Sequence, residues 1–134
     1  MSTIMFVDDE AGIRNALKRL FADTRHNVLI AASAAEGLEL LRSNTCAVIV
    51  SDNQMPGESG IECLYKARQL APDTVRVMMT AYADLGTALN AINHCEAYRF
   101  VVKPWDNQEL VELVSSCVLR FELVQSLRLK DEAI

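Results

Sequence analysis

The sequence predicts an α/β fold, in which helices cover both faces of a doubly wound sheet of five parallel strands. Short apolar runs rich in β-branched residues alternate five times with segments that have apolar residues at helical spacing. The 134-residue chain has no internal repeat and no low-complexity linker, and this length suits one domain. The simplest strand order at this size is the flavodoxin-like order 2-1-3-4-5, with the switch point between the first and third strands.

The five predicted strands are short apolar runs that stop at polar residues or turns. They cover residues 3–7, 28–32, 47–51, 75–79 and 98–102. The third has the clearest pattern, because residues 47–50 are all apolar and mostly β-branched, as is typical of a strand buried on both faces. The Pro56-Gly57 pair prevents this strand from continuing.

The helices are predicted by apolar faces and by capping boxes, in which an N-cap side chain and a glutamate three residues later bind free backbone amides. The boxes are Ser33–Glu36, Ser59–Glu62 and Asp106–Glu109. The first helix is indicated by an apolar face at Ile13, Leu17, Leu20 and Phe21, and the fourth by Asp84 as N-cap with Leu85, Leu89 and Ile92.

The last helix is predicted from Asn107 to about Lys130, well beyond the mean helix length of about 11–12 residues. Its apolar residues alternate spacings of four and three, as in a coiled-coil seam: Leu110, Val114, Cys117, Phe121 and Val124. The first half must pack on the sheet. Beyond about Leu119 we expect no domain surface left for the apolar residues to cover, namely Phe121, Leu123, Val124, Leu127 and Leu129.

We therefore predict a compact domain over residues 1–121 and a helical extension over residues 122–134. The extension would lead toward a missing output module or pair with a second copy. The absence of a terminal Gly or Pro stop signal favours a truncated chain. The alternative is a helix end that folds back on its own domain.

Charge and apolar patterning exclude several classes of function. The net charge of −5 argues against direct nucleic-acid binding, which depends on Lys and Arg neutralising phosphates. The chain has no signal-like start and no apolar run near 18 residues, so we predict a soluble, cytoplasmic protein without membrane contact. The irregular spacing of Cys46, Cys63, Cys95 and Cys117 favours reduced core thiols over a zinc site.

Polar residues follow four predicted strands and suit one reaction. Asp8 and Asp9 follow the first strand, Asp52 the third, Thr80 the fourth and Lys103 the fifth. Three converging carboxylates repel one another unless a hard cation such as Mg²⁺ compensates. With a hydroxyl and an ammonium nearby, the set suits phosphoryl transfer, and a carboxylate is the available nucleophile because no Ser/Cys–His pair is present.

The motifs resemble the receiver domain of bacterial two-component response regulators. They occur in that family's order over about residues 3–121: Asp8-Asp9-Glu10, Asp52 with Met55-Pro56-Gly57, Thr80-Ala81 and Lys103-Pro104. The resemblance implies a phosphorylation-dependent switch that accepts a phosphoryl group on Asp52 from a sensor histidine kinase. Such a domain catalyses only its own phosphotransfer and autodephosphorylation.

The resemblance also assigns roles around Asp52. Asp9 and Asp52 would bind Mg²⁺ directly together with the backbone carbonyl of Gln54, and Asp8 would act through water. Thr80 and Lys103 would contact the phosphoryl oxygens, and the Lys103–Pro104 peptide bond would be cis.

Thr80 and Phe100 take the positions of the family's switch residues. Phosphorylation would draw in Thr80, turn Phe100 inward and remodel the face formed by the fourth helix, fifth strand and fifth helix (α4-β5-α5). The simpler interpretation is that Phe100 is strand core. Gln54 and Tyr82, each two residues beyond a site residue, are predicted to tune the phosphoryl lifetime.

Residues 98–105 resemble a subgroup whose receivers precede HD-GYP phosphodiesterase or AAA⁺ transcription-activator modules. The expected partners are a sensor kinase, such an output module, and a second copy bound through the α4-β5-α5 face or the C-terminal helix. Two alternatives stay open. One is a non-phosphorylated interaction module; the other is a haloacid-dehalogenase-type phosphatase, which would require Asp-x-Asp after the first strand.

Overall fold

The computed structural model describes residues 2–81, 86, 89, 93 and 96–133, and it contains the predicted sheet. The strands are β1 (Thr3–Val7), β2 (Asn27–Ala31), β3 (Val48–Asp52), β4 (Val75–Ala81) and β5 (Arg99–Lys103). All neighbours pair in parallel in the order β2-β1-β3-β4-β5, which confirms the predicted class and topology. Asp52 and Lys103 are the last residues of their strands, where we had predicted that they follow them.

The described helices are α1 (Ala11–Phe21), α2 (Ala34–Ser43), α3 (Gly60–Leu70) and the C-terminal helix (Asn107–Ala133). The three predicted N-cap side chains accept from the backbone of Glu36, Glu62 and Glu109 at 3.2, 3.2 and 3.0 Å. The predicted fourth helix lies mostly outside the described residues, although Gly86, Leu89 and Asn93 are helical.

The core has two layers because residues alternate between the faces of each strand. Ile4 and Phe6 of β1 pack under α1 and the C-terminal helix, whereas Met5 and Val7 pack under α2 and α3. β3 is buried along its whole length. The central strands therefore form a rigid platform whose carboxyl ends carry the polar residues predicted as the site.

The C-terminal helix stays in contact with the domain beyond the predicted boundary. Leu110, Val114 and Cys117 are buried, as expected. Phe121 packs on the same layer, so the prediction that it has no surface to cover is wrong. Further along, both Arg128 and Gln125 bind Asp73 in the loop before β4, with an Arg128 Nε–Asp73 Oδ2 distance of 2.7 Å.

The other side of this helix is apolar and open to solvent. Leu119, Leu123 and Leu127 are each more than half exposed and follow one another at intervals of one helical turn. The proposed extension over residues 122–134 stays a prediction, but the structure separates its two sides clearly.

Within the described part of the chain, no helix is both long and apolar enough to cross a membrane. Cys46, Cys63 and Cys117 are buried free thiols, in keeping with the predicted core role. Cys95 lies outside the described residues.

Candidate functional site

Three carboxylates meet at the carboxyl ends of the two central strands. Asp8 and Asp9 directly follow β1, and Asp52 ends β3, the strand that pairs with β1. One carboxylate oxygen from each lies within 4.8 Å of the others. Asp8 and Asp52 are buried, whereas Asp9 is exposed. The cluster therefore reaches solvent through Asp9.

Lys103 joins this cluster from β5, two strands away from β3. Its Nζ lies 2.8 Å from Asp8 Oδ2 and 3.0 Å from Asp52 Oδ1. Asp8 is held further by two backbone contacts: its Oδ1 accepts from the amide of Glu10 at 2.9 Å, and its carbonyl accepts from Arg14 Nη1 at 2.8 Å. The Lys103–Pro104 peptide is cis, as the family resemblance implied.

The segment after β3 is fixed from both sides. The amide of Asn53 donates to Met79 O at 2.8 Å on β4, and its carbonyl accepts from the amide of Gly60 at 2.9 Å at the start of α3. This arrangement ties the peptide between Asp52 and Gln54 to both neighbouring elements. A cavity of about 170 Å³ opens beside it, lined by Glu10, Asp52, Asn53, Gln54, Ala81 and Lys103.

Of the remaining predicted residues, Gln54 lines this cavity, and Thr80 directly precedes Ala81, which also lines it. Thr80 is buried near the end of β4, and its hydroxyl donates to the carbonyl of Ala81 at 3.3 Å. Gln54 is exposed and lines the cavity, and its predicted effect on the phosphoryl lifetime stays a prediction. Phe100 is half-buried and packs against the layer under α2 and α3. Tyr82 lies outside the described residues.

The known family of response regulator receiver domains matches residues 4–115, which is most of the chain. The chain belongs to this family. The predicted resemblance is confirmed, and with it the coarse function, because receiver domains are signalling switches of two-component systems.

This receiver domain is similar to larger transcriptional regulators. It is 33% identical over 121 residues to the hydrogenase transcriptional regulatory protein HoxA of Bradyrhizobium diazoefficiens, covering 90% of this chain and 25% of that protein. With the DNA-binding transcriptional regulator NtrC of Escherichia coli it shares 34% identity over 125 residues, covering 93% and 26%. The chain thus spans about a quarter of the length of these relatives.

A solved signal receiver domain has the same fold. The signal receiver domain of an HD domain-containing protein from Pseudomonas fluorescens Pf-5 superposes with a TM-score of 0.88 at 29% identity. The match covers 93% of this chain and 92% of that one.

The donor set of the receiver domain fits Mg²⁺. Oxygen atoms within 4.8 Å of one another suit an ion whose opposite ligands are about 4.2 Å apart, at metal–oxygen distances of about 2.0–2.1 Å. One ammonium among three carboxylates leaves two negative charges, which a divalent ion would match. Carboxylates are also the hard ligands that Mg²⁺ prefers.

The surroundings of the site favour the protonated form of Lys103 and disfavour the ionised form of Asp52. Burial raises the pKa of Asp52, and Asp8 and Asp9 add to this effect, while the contact with Lys103 opposes them without cancelling them. Burial alone would lower the pKa of Lys103, but its hydrogen bonds to Asp8 and Asp52 outweigh that effect and the pKa is raised. The site is therefore short of positive charge.

Two contributors to the site were missed in the sequence. Arg14 lies on α1 six residues after Asp8, and a basic residue one helical turn from an acidic loop was the available signal. Asn53 acts through its backbone, so its residue type carried no signal.

Proposed function

We propose that this receiver domain is a phosphorylation-dependent switch that accepts a phosphoryl group on Asp52 from a sensor histidine kinase. The supporting observation is the position of the Asp52 carboxylate, at the end of the central strand, beside two further acids and 3.0 Å from Lys103 Nζ. Charge neutralisation and positioning account for most catalysis of phosphoryl transfer. Asp52, held beside the Lys103 ammonium and the acid pair Asp8 and Asp9 that could bind a cation, meets the needs for positioning and for charge neutralisation.

In the proposed reaction an oxygen of Asp52 forms a bond to phosphorus as the phosphorus–nitrogen bond of a phosphohistidine breaks. The bonding electron pair returns to the imidazole of the kinase. Lys103 and Thr80 contact the phosphoryl oxygens. Asp9, Asp52 and the carbonyl of Gln54 would hold Mg²⁺, with Asp8 acting through water, and the ion would supply positive charge near the transferring group.

The switch itself is proposed to run through Thr80 and Phe100. The Thr80 hydroxyl donates a long hydrogen bond of 3.3 Å to the carbonyl of Ala81. A phosphoryl oxygen could take the place of that carbonyl as the acceptor. Phe100 lies on the neighbouring β5 and is only half-buried, so inward movement can follow and alter the α4-β5-α5 face. Gln54 and Tyr82 are proposed to control how long the phosphoryl group lasts.

The domain is proposed to act on an output module, because its relatives named as transcriptional regulators are about four times its length. An AAA⁺ activator module fits those relatives, and an HD-GYP module fits the Pseudomonas fluorescens neighbour.

The exposed leucine side of the C-terminal helix (Leu119, Leu123, Leu127), or the α4-β5-α5 face, is proposed to bind a second copy. Sedimentation equilibrium of the unmodified and phosphorylated chains, each compared with Leu123→Glu, tests this dimer.

The direct test of the function is intact mass after incubation with acetyl phosphate, with and without Mg²⁺, beside Asp52→Asn. We expect one phosphoryl adduct that requires both Mg²⁺ and Asp52. Asp23→Asn, at an exposed acid away from the cluster, is the matched control and should be modified like the unaltered chain. An absent adduct, or one that survives Asp52→Asn, would favour a non-phosphorylated interaction module.

A further inference from the structure

We infer that Gly60 is a positioning residue for the phosphoacceptor, because only a residue without a side chain lets α3 begin against the backbone of Asp52. A Cβ atom at Gly60 would lie 2.1 Å from Asp52 O, 2.9 Å from Asp52 C and 2.8 Å from Asn53 Cα. This inference rests on the proposed phosphorylation of Asp52.

The atoms that crowd Gly60 are all backbone atoms, which cannot rotate aside. At Gly37, the closest atom to an added Cβ is Val7 Cγ2 at 2.8 Å, a side-chain atom that can move. At Gly12 nothing lies within 4 Å. Among these glycines, Gly60 is therefore the one where any side chain requires the main chain to shift.

The main chain that must shift carries the reacting group. Gly60 donates its amide to Asn53 O, and Asn53 donates to Met79 O on β4, so the segment from Asp52 to Gln54 is clamped between α3 and β4. Ordinary van der Waals contact begins near 3.4 Å, so a Cβ at 2.1 Å from Asp52 O calls for about 1.3 Å of displacement. The clamp leaves the end of β3 or the start of α3 to absorb it.

A displacement taken up at the end of β3 separates Asp52 from the groups that would act with it. Its Oδ1 lies 3.0 Å from Lys103 Nζ, and one of its carboxylate oxygens lies within 4.8 Å of an oxygen from each of the other acids. A misplacement of about 1 Å in a reacting group can cost about 100-fold in rate. We expect Gly60→Ala to slow phosphorylation of Asp52 by about 10- to 100-fold and to weaken Mg²⁺ binding.

The test measures the initial rate of modification by acetyl phosphate and the Mg²⁺ affinity by calorimetry, for the whole chain at a temperature where circular dichroism shows each variant folded. Gly12→Ala is the matched glycine control. Leu41→Ala removes buried side-chain volume at the far end of α2 and controls for lower stability. Both controls should keep the rate and the Mg²⁺ affinity within about twofold of the unaltered chain.

Three outcomes would overturn the inference: an unchanged rate in Gly60→Ala, slowing no greater than in Leu41→Ala, or slowing without weaker Mg²⁺ binding. If Gly60→Ala is unfolded in buffer, both readouts are repeated for all chains in trimethylamine N-oxide, which favours the folded state. A variant that stays unfolded there would show that Gly60 serves folding and not positioning. Failure of the unaltered chain to be phosphorylated would instead reject the proposed function.

Discussion

Replacing Asp52 by asparagine is expected to make the folded domain more stable, although it removes the proposed phosphoacceptor. Asp52 is buried beside Asp8 and Asp9, and its pKa is raised by burial and by these neighbours. Asparagine has nearly the same shape and keeps an oxygen that can accept from Lys103, but it carries no charge to desolvate. The substitution therefore removes an unfavourable charge with little loss of packing.

The expected gain in stability follows from the distances between Asp52 and the neighbouring charges. At an effective dielectric constant of about 20, two like charges at 4.8 Å, the largest separation within the cluster, repel by about 3.5 kcal/mol, and the contact with Lys103 at 3.0 Å attracts by about 5.5 kcal/mol. Repulsion from Asp8, with a solvent-weakened contribution from exposed Asp9, offsets most of that attraction. The desolvation of Asp52 remains, so we expect a gain of about 1–2 kcal/mol at pH 7 without Mg²⁺.

Urea unfolding with a metal chelator present, followed by circular dichroism from pH 4 to pH 8, measures this gain. Because the folded-state pKa of Asp52 is raised, the unaltered chain loses stability as pH rises through that pKa. The gain should therefore be largest at pH 7 and shrink toward pH 4, near the unfolded pKa of about 3.9. Asp23→Asn should change stability by less than about 0.5 kcal/mol. Lower stability of Asp52→Asn at pH 7, or a gain that does not depend on pH, would refute the reasoning.

Three further predictions concern contacts around the domain. Arg14→Met should lower the free energy of unfolding by about 1–2 kcal/mol in the same urea assay, because the carbonyl of Asp8 loses a charged donor. The control Arg19→Met, on the exposed side of α1, should change this free energy little. Arg128→Ala should speed hydrogen exchange in the C-terminal helix beyond Phe121, while domain stability changes by less than about 1 kcal/mol; unchanged exchange would contradict a role for the Asp73 contact. Burial raises the pKa of the Cys46, Cys63 and Cys117 thiols to about 11, so about 0.1% of each is thiolate at pH 8. Peptide mapping after iodoacetamide treatment should therefore show slow labelling of these thiols in the folded protein and fast labelling in urea.

Much of the fold could be predicted because its determinants are local. The apolar run at 47–50 and the turn at Pro56-Gly57 specify a buried strand and its end from a few adjacent residues. The order of strands and helices then leaves few topologies, so the meeting of Asp8, Asp52 and Lys103 at one edge of the sheet followed from chain order.

The unpredicted features depend on contacts between distant parts of the chain. The bridge formed by Lys103 joins residues 95 positions apart, and which carboxylate oxygens it contacts depends on side-chain conformation. The binding of Asp73 by Arg128 spans 55 positions, and helical periodicity alone did not reveal it. The crowding of Gly60 against Asp52 arises from backbone proximity that no residue type encodes.

Trp105 gives this receiver domain a built-in optical reporter. It is the single tryptophan in the chain, lies two residues after Lys103, and is half-buried with its indole N–H donating to Asn107 Oδ1 at 3.0 Å. Tryptophan fluorescence of the unlabelled protein therefore comes from one place, at the junction of β5 and the C-terminal helix. If the proposed Mg²⁺ binding or phosphorylation alters this junction, the change can be followed in real time without attaching a dye or altering a residue.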